Sequence, residues 1–360
     1  MNIHKWKELS EEQKSFVMKR AEIDITAYMK TATEVAFDVK ENGDDAVLKY
    51  TEKFDRVKLS KEHMKVSQEE FETAYRRLPK ETLDAITYAY GNIKKFHQEQ
   101  MPEKMWFTDV DDGIMAGEKV TPIVDVCLYV PRGKGSFPSV LLMLGVPAAV
   151  AGVKKIVVVT PPNEKGEVDD AILVAAKLIG ITEIYKVGGI QAVASVAFGT
   201  ETIPKCHKII GPGNAYATAA KRVLASYIDA GLPAGPSESI ILCDEHADPH
   251  KAALDWMIEA EHGPDSAALL VTHSEELAEK VLPIVEKQLT KLSDKRREFI
   301  QTNFSTYGGI ILTDSLEESI HFVNEYAPEH MEILTEKPFD VLPKIENAGE
   351  ILLGEWTPIT

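Results

Sequence analysis

From Thr121 onward, short apolar runs that are typical of strands alternate with helical segments. The runs "IVDVCLYV" (123–130), "KKIVVVT" (154–160) and "EIYKVGG" (183–189) are strand-like. Between the last two, "DDAILVAAKLIG" (169–180) begins with acidic residues and ends with glycine, as helices commonly do. Because strands that alternate with helices build βαβ units, the pattern predicts an α/β fold with parallel sheets.

A second series of strand-like runs begins near residue 237, comprising "SESIILCDE", "AALLVTHS", "GGIILTDS", "HMEILT" and "EILLG". The segment "DAGLPAGPSES" (229–239) separates the two series, and its Gly, Pro and Ser content is typical of a crossing between domains. Residues 1 to about 105 have the spacing of amphipathic helices. We therefore expect two Rossmann-like parallel-sheet domains with a helical N-terminal segment. One domain would be discontinuous and hold residues 1–128 and 237–360, and the other would hold residues 129–236.

Composition argues against several classes of partner. The 360 residues include 57 acidic and 40 basic side chains, so the net charge of −17 disfavours a nucleic acid partner. The longest apolar run, "FPSVLLMLGVPAAVAGV", is interrupted by prolines and glycines and is too short to span a membrane. The polar N-terminus lacks a secretory signal, and the three separated cysteines fit a reducing compartment. We expect a cytoplasmic protein.

Four loops could bind a ligand beyond the carboxyl ends of the strands, at residues 129–139, 187–194, 211–222 and 234–239. Glycine after a strand lets the backbone approach a ligand, and the N-terminus of the next helix favours an anionic group such as phosphate. None of these loops carries the GxGxxG fingerprint. A single loop of this kind is more often only a tight turn, but several in successive connections indicate a binding site.

Glu259 and His262 lie three residues apart in "WMIEAEHGPDS" (256–266), so both point to the same side of a predicted helix. Gly263 and Pro264 end that helix, and a helix C-terminus favours a cation. A carboxylate and an imidazole are good zinc ligands, although two ligands alone do not make a site. The alternative is a surface pair without a ligand.

Glu329 and His330 follow Ala327-Pro328, at a predicted change from helix to strand. Pro328 cannot continue a helix, and it disfavours a helical conformation at Ala327. A carboxylate and an imidazole are the side chains that most often transfer protons near neutral pH. The alternative is a polar turn with two solvated side chains.

These motifs together resemble the histidinol dehydrogenase family. They are, in order, "YVPRGKGSFPSVLLM", "VGGIQAVA", "IIGPGNAYATAAKR", "AGPSE", "AEHGPDS" and "YAPEHMEI". The resemblance extends from about Thr121 to the end of the sequence. It implies an NAD- and zinc-dependent homodimer that oxidises a primary alcohol through an aldehyde to a carboxylate.

The resemblance also implies roles for individual residues. Glu329 would activate water and His330 would relay protons. The remaining residues that it implicates are Tyr129, Gln191 and Asn214 for NAD, Ser237, Glu259, His262 and His330 for the substrate, and Glu259 and His262 for the metal.

Three features depart from the family pattern. Members that oxidise histidinol carry Gln where this chain has Glu259, which changes the charge at the metal. Arg132 and Lys134 lie in a loop that is usually more neutral, and they could meet cofactor phosphates or an anionic substrate. The sequence ends at "LLGEWTPIT", whereas the family continues with further metal and substrate residues, so a fragment or a shortened member is expected.

Three functions remain open at this point. The first is oxidation of L-histidinol to L-histidine in histidine biosynthesis. The second is oxidation of another small polar alcohol, such as a sulfonated diol, by a paralogue. The third, from another class, is a catalytically inactive binding or scaffold protein.

Overall fold

The computed structural model describes residues 1–19, 24–132, 137–231 and 235–358. Its helices are α1 (Glu11–Lys19), α2 (Thr26–Tyr50), α3 (Gln68–Arg77), α4 (Lys80–Glu99), α5 (Pro138–Val150), α6 (Asp170–Ile179), α7 (Gly189–Phe198), α8 (Ala215–Val223), α9 (Pro249–Ala260), α10 (Glu275–Leu289), α11 (Asp294–Asn303), α12 (Leu316–Tyr326) and α13 (Pro338–Val341). Its strands are β1 (Ile3–Lys5), β2 (Met105–Asp111), β3 (Ile114–Lys119), β4 (Asp125–Tyr129), β5 (Lys155–Thr160), β6 (Glu183–Lys186), β7 (Ile209–Ile210), β8 (Glu238–Cys243), β9 (Ala267–Thr272), β10 (Gly309–Leu312), β11 (His330–Leu334) and β12 (Glu350–Leu353).

The chain divides into two compact units, Asp24–Ala234 and Met1–Ile23 with Gly235–Thr360. The predicted boundaries differ from this division at the N-terminal side, because residues 24–128 belong with 129–234. The physical reason is helix packing. Val35 and Val39 on α2 share a buried cluster with Val193 on α7 and Ala220 on α8.

The unit of residues 24–234 contains a parallel sheet in the order β6-β5-β4-β7. Helices α2, α7 and α8 contribute to one buried cluster of this unit, and α3, α4, α5 and α6 contribute to another. The connection from β4 leads to β5 on one side, whereas β7 pairs with β4 on the other side. Because the chain builds outward from β4 through β5 to β6 and then crosses to β7 on the other side of β4, a crevice is expected at the carboxyl ends of β4 and β7.

The other unit contains a parallel sheet in the order β1-β10-β9-β8-β11-β12. Alternate residues of its central strands enter two different buried clusters: Ile240 and Leu242 enter one, and Ile241 and Cys243 enter the other. A strand covered on both faces must be apolar on both faces, which explains the nearly continuous apolar runs in the sequence. The prediction of two Rossmann-like parallel sheets is confirmed.

Strands β2 and β3 form an antiparallel hairpin whose residues are all exposed. The sequence pattern did not predict this hairpin. Within the residues that the structure describes, no helix is both long and apolar enough to cross a membrane.

Candidate active site

Glu329 and His330 lie at the corner between α12 and β11. Helix α12 ends at Tyr326, and Ala327 takes a left-handed conformation with φ of 50°. Pro328 follows, and β11 begins at His330. The predicted change from helix to strand at this corner is confirmed.

Strand β12 fixes the backbone of this corner. The Gly349 N–H donates to the Pro328 carbonyl at 3.0 Å, and the Glu350 N–H donates to the Glu329 carbonyl at 2.9 Å. A Cβ on Gly349 would lie 2.8 Å from the Glu329 carbonyl oxygen, so a larger residue would displace this backbone. The close approach of β12 therefore holds Glu329 in place.

The His330 ring lies between two carboxylates. Its Nδ1 is 2.9 Å from Glu350 Oε2, and its Nε2 is 3.8 Å from Glu329 Oε1. The hydrogen bond to Glu350 raises the pKa of His330 against the opposing effect of burial, and the charges of Glu329 and Glu259 raise it further. If Glu350 accepts the Nδ1 proton, Nε2 is the nitrogen left to exchange a proton with a ligand.

Glu259 and His262 lie at the C-terminal end of α9, next to the starts of β8 and β11. Glu259 is only 1% exposed, and its Oε1 is 2.6 Å from His262 Nδ1. Burial acts to raise the pKa of Glu259, but the hydrogen bond from His262 and the charges of His262 and His330 outweigh it, so the pKa is lowered. The bond to Glu259 raises the pKa of His262. Each group of the pair therefore favours the charged form of the other.

Two serines complete this cluster. A hydrogen bond from Ser237 also favours the charged form of Glu259. Ser239 pairs with His330 across the sheet, and its buried Oγ has no partner within the described part of the chain. The residues predicted for the substrate, Ser237, Glu259, His262 and His330, are thus brought together.

The donor chemistry of Glu259 and His262 suits zinc, but these are only two of the about four ligands that zinc takes. In the described ranges, groups of three possible ligands that lie within 4.8 Å of one another are limited to Asp244, Glu245 and His246. That group follows the carboxyl end of β8, whereas the Glu259 cluster lies at its amino end. The described residues at the Glu259 cluster are therefore of the types that bind zinc, but there are too few of them to complete its coordination.

A second constellation lies at the carboxyl ends of β4 and β6. Tyr129 ends β4, and its hydroxyl accepts the Gly189 N–H at 2.9 Å. Burial raises the pKa of Tyr129 to about 12, so the phenol stays protonated at neutral pH. Gln191 is fully buried, and its Oε1 has no hydrogen-bond partner among the described residues. This buried acceptor is available to a donor from a bound molecule or a water.

The loop after β7 approaches the same tyrosine. A Cβ on Gly211 would lie 2.1 Å from the Tyr129 carbonyl oxygen, and φ at Gly211 is 129°, so only glycine fits there. A Cβ on Gly213 would lie 3.7 Å from the Tyr129 ring. Asn214 caps α8, and its Oδ1 accepts the Ala217 N–H at 3.1 Å. Tyr129, Gln191 and Asn214 therefore lie at the crevice that the strand order predicts.

Two functional candidates were not identified by motif. Glu350 was recognised only as the start of a strand, because its contact with His330 depends on the register of β11 and β12. Asp55 ends a short π-helical turn, Thr51–Asp55, and its Oδ2 is 3.3 Å from Gln191 Nε2.

Of the two cations noted in the first glycine loop, Arg132 donates to the Pro162 carbonyl at 3.2 Å, and Lys134 lies outside the described residues.

Comparison with known proteins places this geometry in a family. The sequence model described as Histidinol dehydrogenase matches residues 18–360. Histidinol dehydrogenase from Synechocystis sp. is 51% identical over 356 residues, covering 99% of this chain and 82% of that protein. A protein from Colwellia psychrerythraea named histidinol dehydrogenase homolog is 47% identical over 361 residues, covering 100% and 81%.

A solved structure agrees with the sequence matches. The crystal structure of histidinol dehydrogenase from Elizabethkingia anophelis superposes with a TM-score of 0.93 at 37% identity, covering 99% of this chain and 81% of that one. The chain belongs to the histidinol dehydrogenase family of oxidoreductases.

Proposed function

We propose that this protein oxidises L-histidinol through an aldehyde to L-histidine, with NAD as the hydride acceptor, as a zinc-dependent homodimer in the cytoplasm. The observation that carries the proposal is the His330 ring held between Glu350 and Glu329, beside the buried Glu259–His262 pair. The family supports the reaction, and the positions of His330 and Glu329 support their use in proton transfer.

His330 is the proton acceptor for the alcohol. An alcohol must lose its hydroxyl proton as its hydride leaves, so a base is needed at that oxygen. Glu350 binds one nitrogen of the ring and orients the other, Nε2, for this task. Folding raises the pKa of His330 above that of a free imidazole. The ring therefore becomes deprotonated, and able to accept a proton, at a higher pH than a free imidazole would.

Glu329 acts on water in the second half of the reaction. The aldehyde has to become a hydrate before a second hydride can leave, and a carboxylate can take the proton of the attacking water. Glu329 is about half exposed, and its Oε1 faces His330 Nε2 at 3.8 Å. Because Glu329 is exposed, it can release the water proton to solvent, which leaves His330 free to take the proton of the hydrate.

Tyr129, Gln191 and Asn214 would hold NAD, which when bound accepts the hydride in each step. The unpartnered Oε1 of Gln191 fits a donor such as a ribose hydroxyl or a carboxamide N–H. Gly211 lets the loop that leads to Asn214 pack directly against the Tyr129 backbone. Glu259 and His262 would contribute two ligands to zinc, which when bound would orient the substrate oxygen.

Charge favours L-histidinol over an anionic alcohol. The cluster brings three carboxylates, Glu259, Glu329 and Glu350, to two imidazoles. A bound Zn²⁺ would offset the charge of its ligand Glu259, so Glu329 and Glu350 are the carboxylates that would stabilise a cationic amino alcohol and disfavour a sulfonate. The paralogue reading retains some support, because several relatives at 46–49% identity are named only as homologs.

The test compares two substrates in the presence of NAD and zinc, following NADH release. We expect kcat/KM for L-histidinol to exceed that for 2,3-dihydroxypropane-1-sulfonate by about 100-fold or more, since one unfavourable charge contact costs several kcal/mol at a desolvated site. A preference for the sulfonate would support the paralogue. If neither substrate gives NADH and the protein does not bind NAD, the hypothesis of an inactive binding or scaffold protein would be supported.

A further inference from the structure

Asp55 fixes the orientation of Gln191. Its Oδ2 lies 3.3 Å from Gln191 Nε2, so the amide donates to Asp55 and turns its Oε1 away from it. That Oε1 lies 3.1 Å from the position a Cβ would take on Gly189, where α7 begins. The hydrogen bond to Asp55 therefore leaves Oε1 as the atom of the Gln191 amide that can accept from a ligand at the N-terminus of α7.

Asp55 also places a negative charge at the crevice. Its charge disfavours ionisation of the nearby Tyr129 phenol. Arg132, at the end of the segment after β4, acts in the opposite sense and favours the charged form of Asp55. The guanidinium therefore acts on the carboxylate through its charge, while one of its nitrogens donates to the Pro162 carbonyl.

Dinucleotide sites on parallel sheets distinguish their two cofactors with these two residue types. A carboxylate accepts the ribose 2′-hydroxyl of NAD and repels the 2′-phosphate of NADP, whereas an arginine accepts that phosphate. Here both types lie beside the residues assigned to the cofactor. The Asp55 carboxylate would then decide between the two cofactors, because it repels the 2′-phosphate of NADP and offsets the positive charge of Arg132.

We propose that Asp55 and Arg132 set the cofactor preference of this site, with Asp55 selecting NAD by binding a ribose hydroxyl and by neutralising Arg132. This inference rests on the proposed function, since it assumes that the crevice at Tyr129, Gln191 and Asn214 is the cofactor site. It adds that loss of the Asp55 charge frees Arg132 to accept a 2′-phosphate.

The acidity of Asp55 supplies a second readout. Burial raises the pKa of Asp55 to about 6, and Arg132 opposes this shift. The other groups that act on it, Gln191 and the Tyr129 phenol, do not titrate near this pH. NAD carries no group that titrates there either, so a change in NAD affinity around pH 6 reports on the protein.

The experiment measures Kd for NAD and for NADP by calorimetry on the wild-type protein and on Asp55→Asn. Asparagine can still accept from Gln191, so the variant removes the charge and keeps the shape. We expect the ratio of Kd for NADP to Kd for NAD to fall by about tenfold or more, the effect of one charge-assisted contact. We also expect wild-type NAD affinity to fall as pH drops through 6, and the Asp55→Asn affinity to stay flat.

Two further variants sharpen the result. Adding Arg132→Ala to Asp55→Asn should abolish the gained NADP affinity. Glu52→Gln removes an exposed carboxylate from the same short helical turn and should leave the ratio unchanged. An unchanged ratio in Asp55→Asn, with NAD still bound by the wild type, would overturn this inference alone. A wild-type protein that binds neither NAD nor NADP would overturn the proposed function and this inference with it.

Discussion

His330 and Glu329 are adjacent in sequence, but their surroundings suit them to different tasks in the proposed reaction. The His330 ring is half-buried and fixed by Glu350, whereas Glu329 is more exposed and lies on the far side of the ring. A fixed base suits proton removal from a bound substrate, which both oxidation steps require. A solvent-accessible carboxylate suits activation of water, which only the second step requires.

This division predicts different failures for two variants. His330→Asn should slow oxidation of the alcohol and of the aldehyde alike, by about 10²–10⁴-fold, the usual loss for a displaced acid or base. Glu329→Gln should slow the aldehyde step by a similar factor and spare the alcohol step. The assay is NADH release from alcohol and from aldehyde, measured separately, with circular dichroism to establish folding.

A control for lost charge is Glu325→Gln, an exposed carboxylate four residues before Glu329. Rates close to wild type in both half-reactions for both test variants would make the Glu329–His330 pair an ordinary polar turn.

Sequence patterns could identify residues that carry a local motif, and they missed residues that act through a tertiary contact. Glu259 and His262 were found by their helical spacing, and His330 was found after its proline. Glu350 and Asp55 carry no motif, because their contacts depend on strand register and on how a distant turn packs. Such partners become visible only when the sheet order is known.

At the scale of elements, α9 and β11 meet through two buried carboxyls. Glu332 on β11 is fully buried, and Asp255 on α9 is nearly so. Burial, together with the Asp255 charge, raises the pKa of Glu332 to about 9. Both Glu332 oxygens are buried without a hydrogen-bond partner among the described residues, so the neutral form is favoured at neutral pH and the pair carries one charge instead of two.

The pair predicts a pH dependence of stability. Between an unfolded pKa near 4.5 and a folded pKa of about 9, the folded state holds a proton that the unfolded state releases. The free energy of unfolding therefore falls as pH rises through this window, by at most about 1.4 kcal/mol per pH unit from this group. Glu332→Gln is neutral at every pH and should remove this contribution to the slope.

The measurement is urea unfolding of wild type and variant between pH 5.5 and 8.5, a range chosen from the window of about 4.5 to 9 above. The exposed Glu317→Gln serves as a control and should keep the wild-type slope. Parallel stability curves for wild type and Glu332→Gln would show that Glu332 does not hold its proton in the folded state.

Elements that are covered on both faces were predicted well, and exposed ones were not. The strands β8, β9, β10 and β11 were identified from apolar runs that the buried part of the sheet requires. The β2–β3 hairpin has no buried residue, so no apolar alternation distinguished it. Its one local indication is Asp112-Gly113, a dipeptide typical of tight hairpin turns.

At the scale of the whole molecule, the sequence correctly indicated two parallel sheets and could not assign every helix to its sheet. An amphipathic helix shows that it has an apolar face but not which sheet will cover that face. Helix α2 illustrates the limit, since its packing against α7 and α8 places residues 24–128 with the four-stranded sheet.

The proposed homodimer gives the exposed hairpin a use. On one face of the hairpin, Met105, Phe107 and Met115 are 56%, 60% and 64% exposed. A two-stranded hairpin is marginally stable alone, and a cluster of exposed apolar side chains usually marks an interface. We therefore expect a second copy of the chain to cover this face.

Replacing Phe107 and Met115 together by serine should weaken the dimer by about tenfold or more per site, because large side chains at the centre of an interface contribute most of its affinity. Sedimentation over a range of concentrations would show a shift from the dimer toward the monomer mass of 39.9 kDa. Tyr88→Ser removes an exposed aromatic from α4 and should leave the dimer intact, since it lies outside the hairpin. A double variant that sediments as the wild type does would exclude the hairpin from the dimer interface, and a wild-type chain that is monomeric at every concentration would exclude the dimer itself.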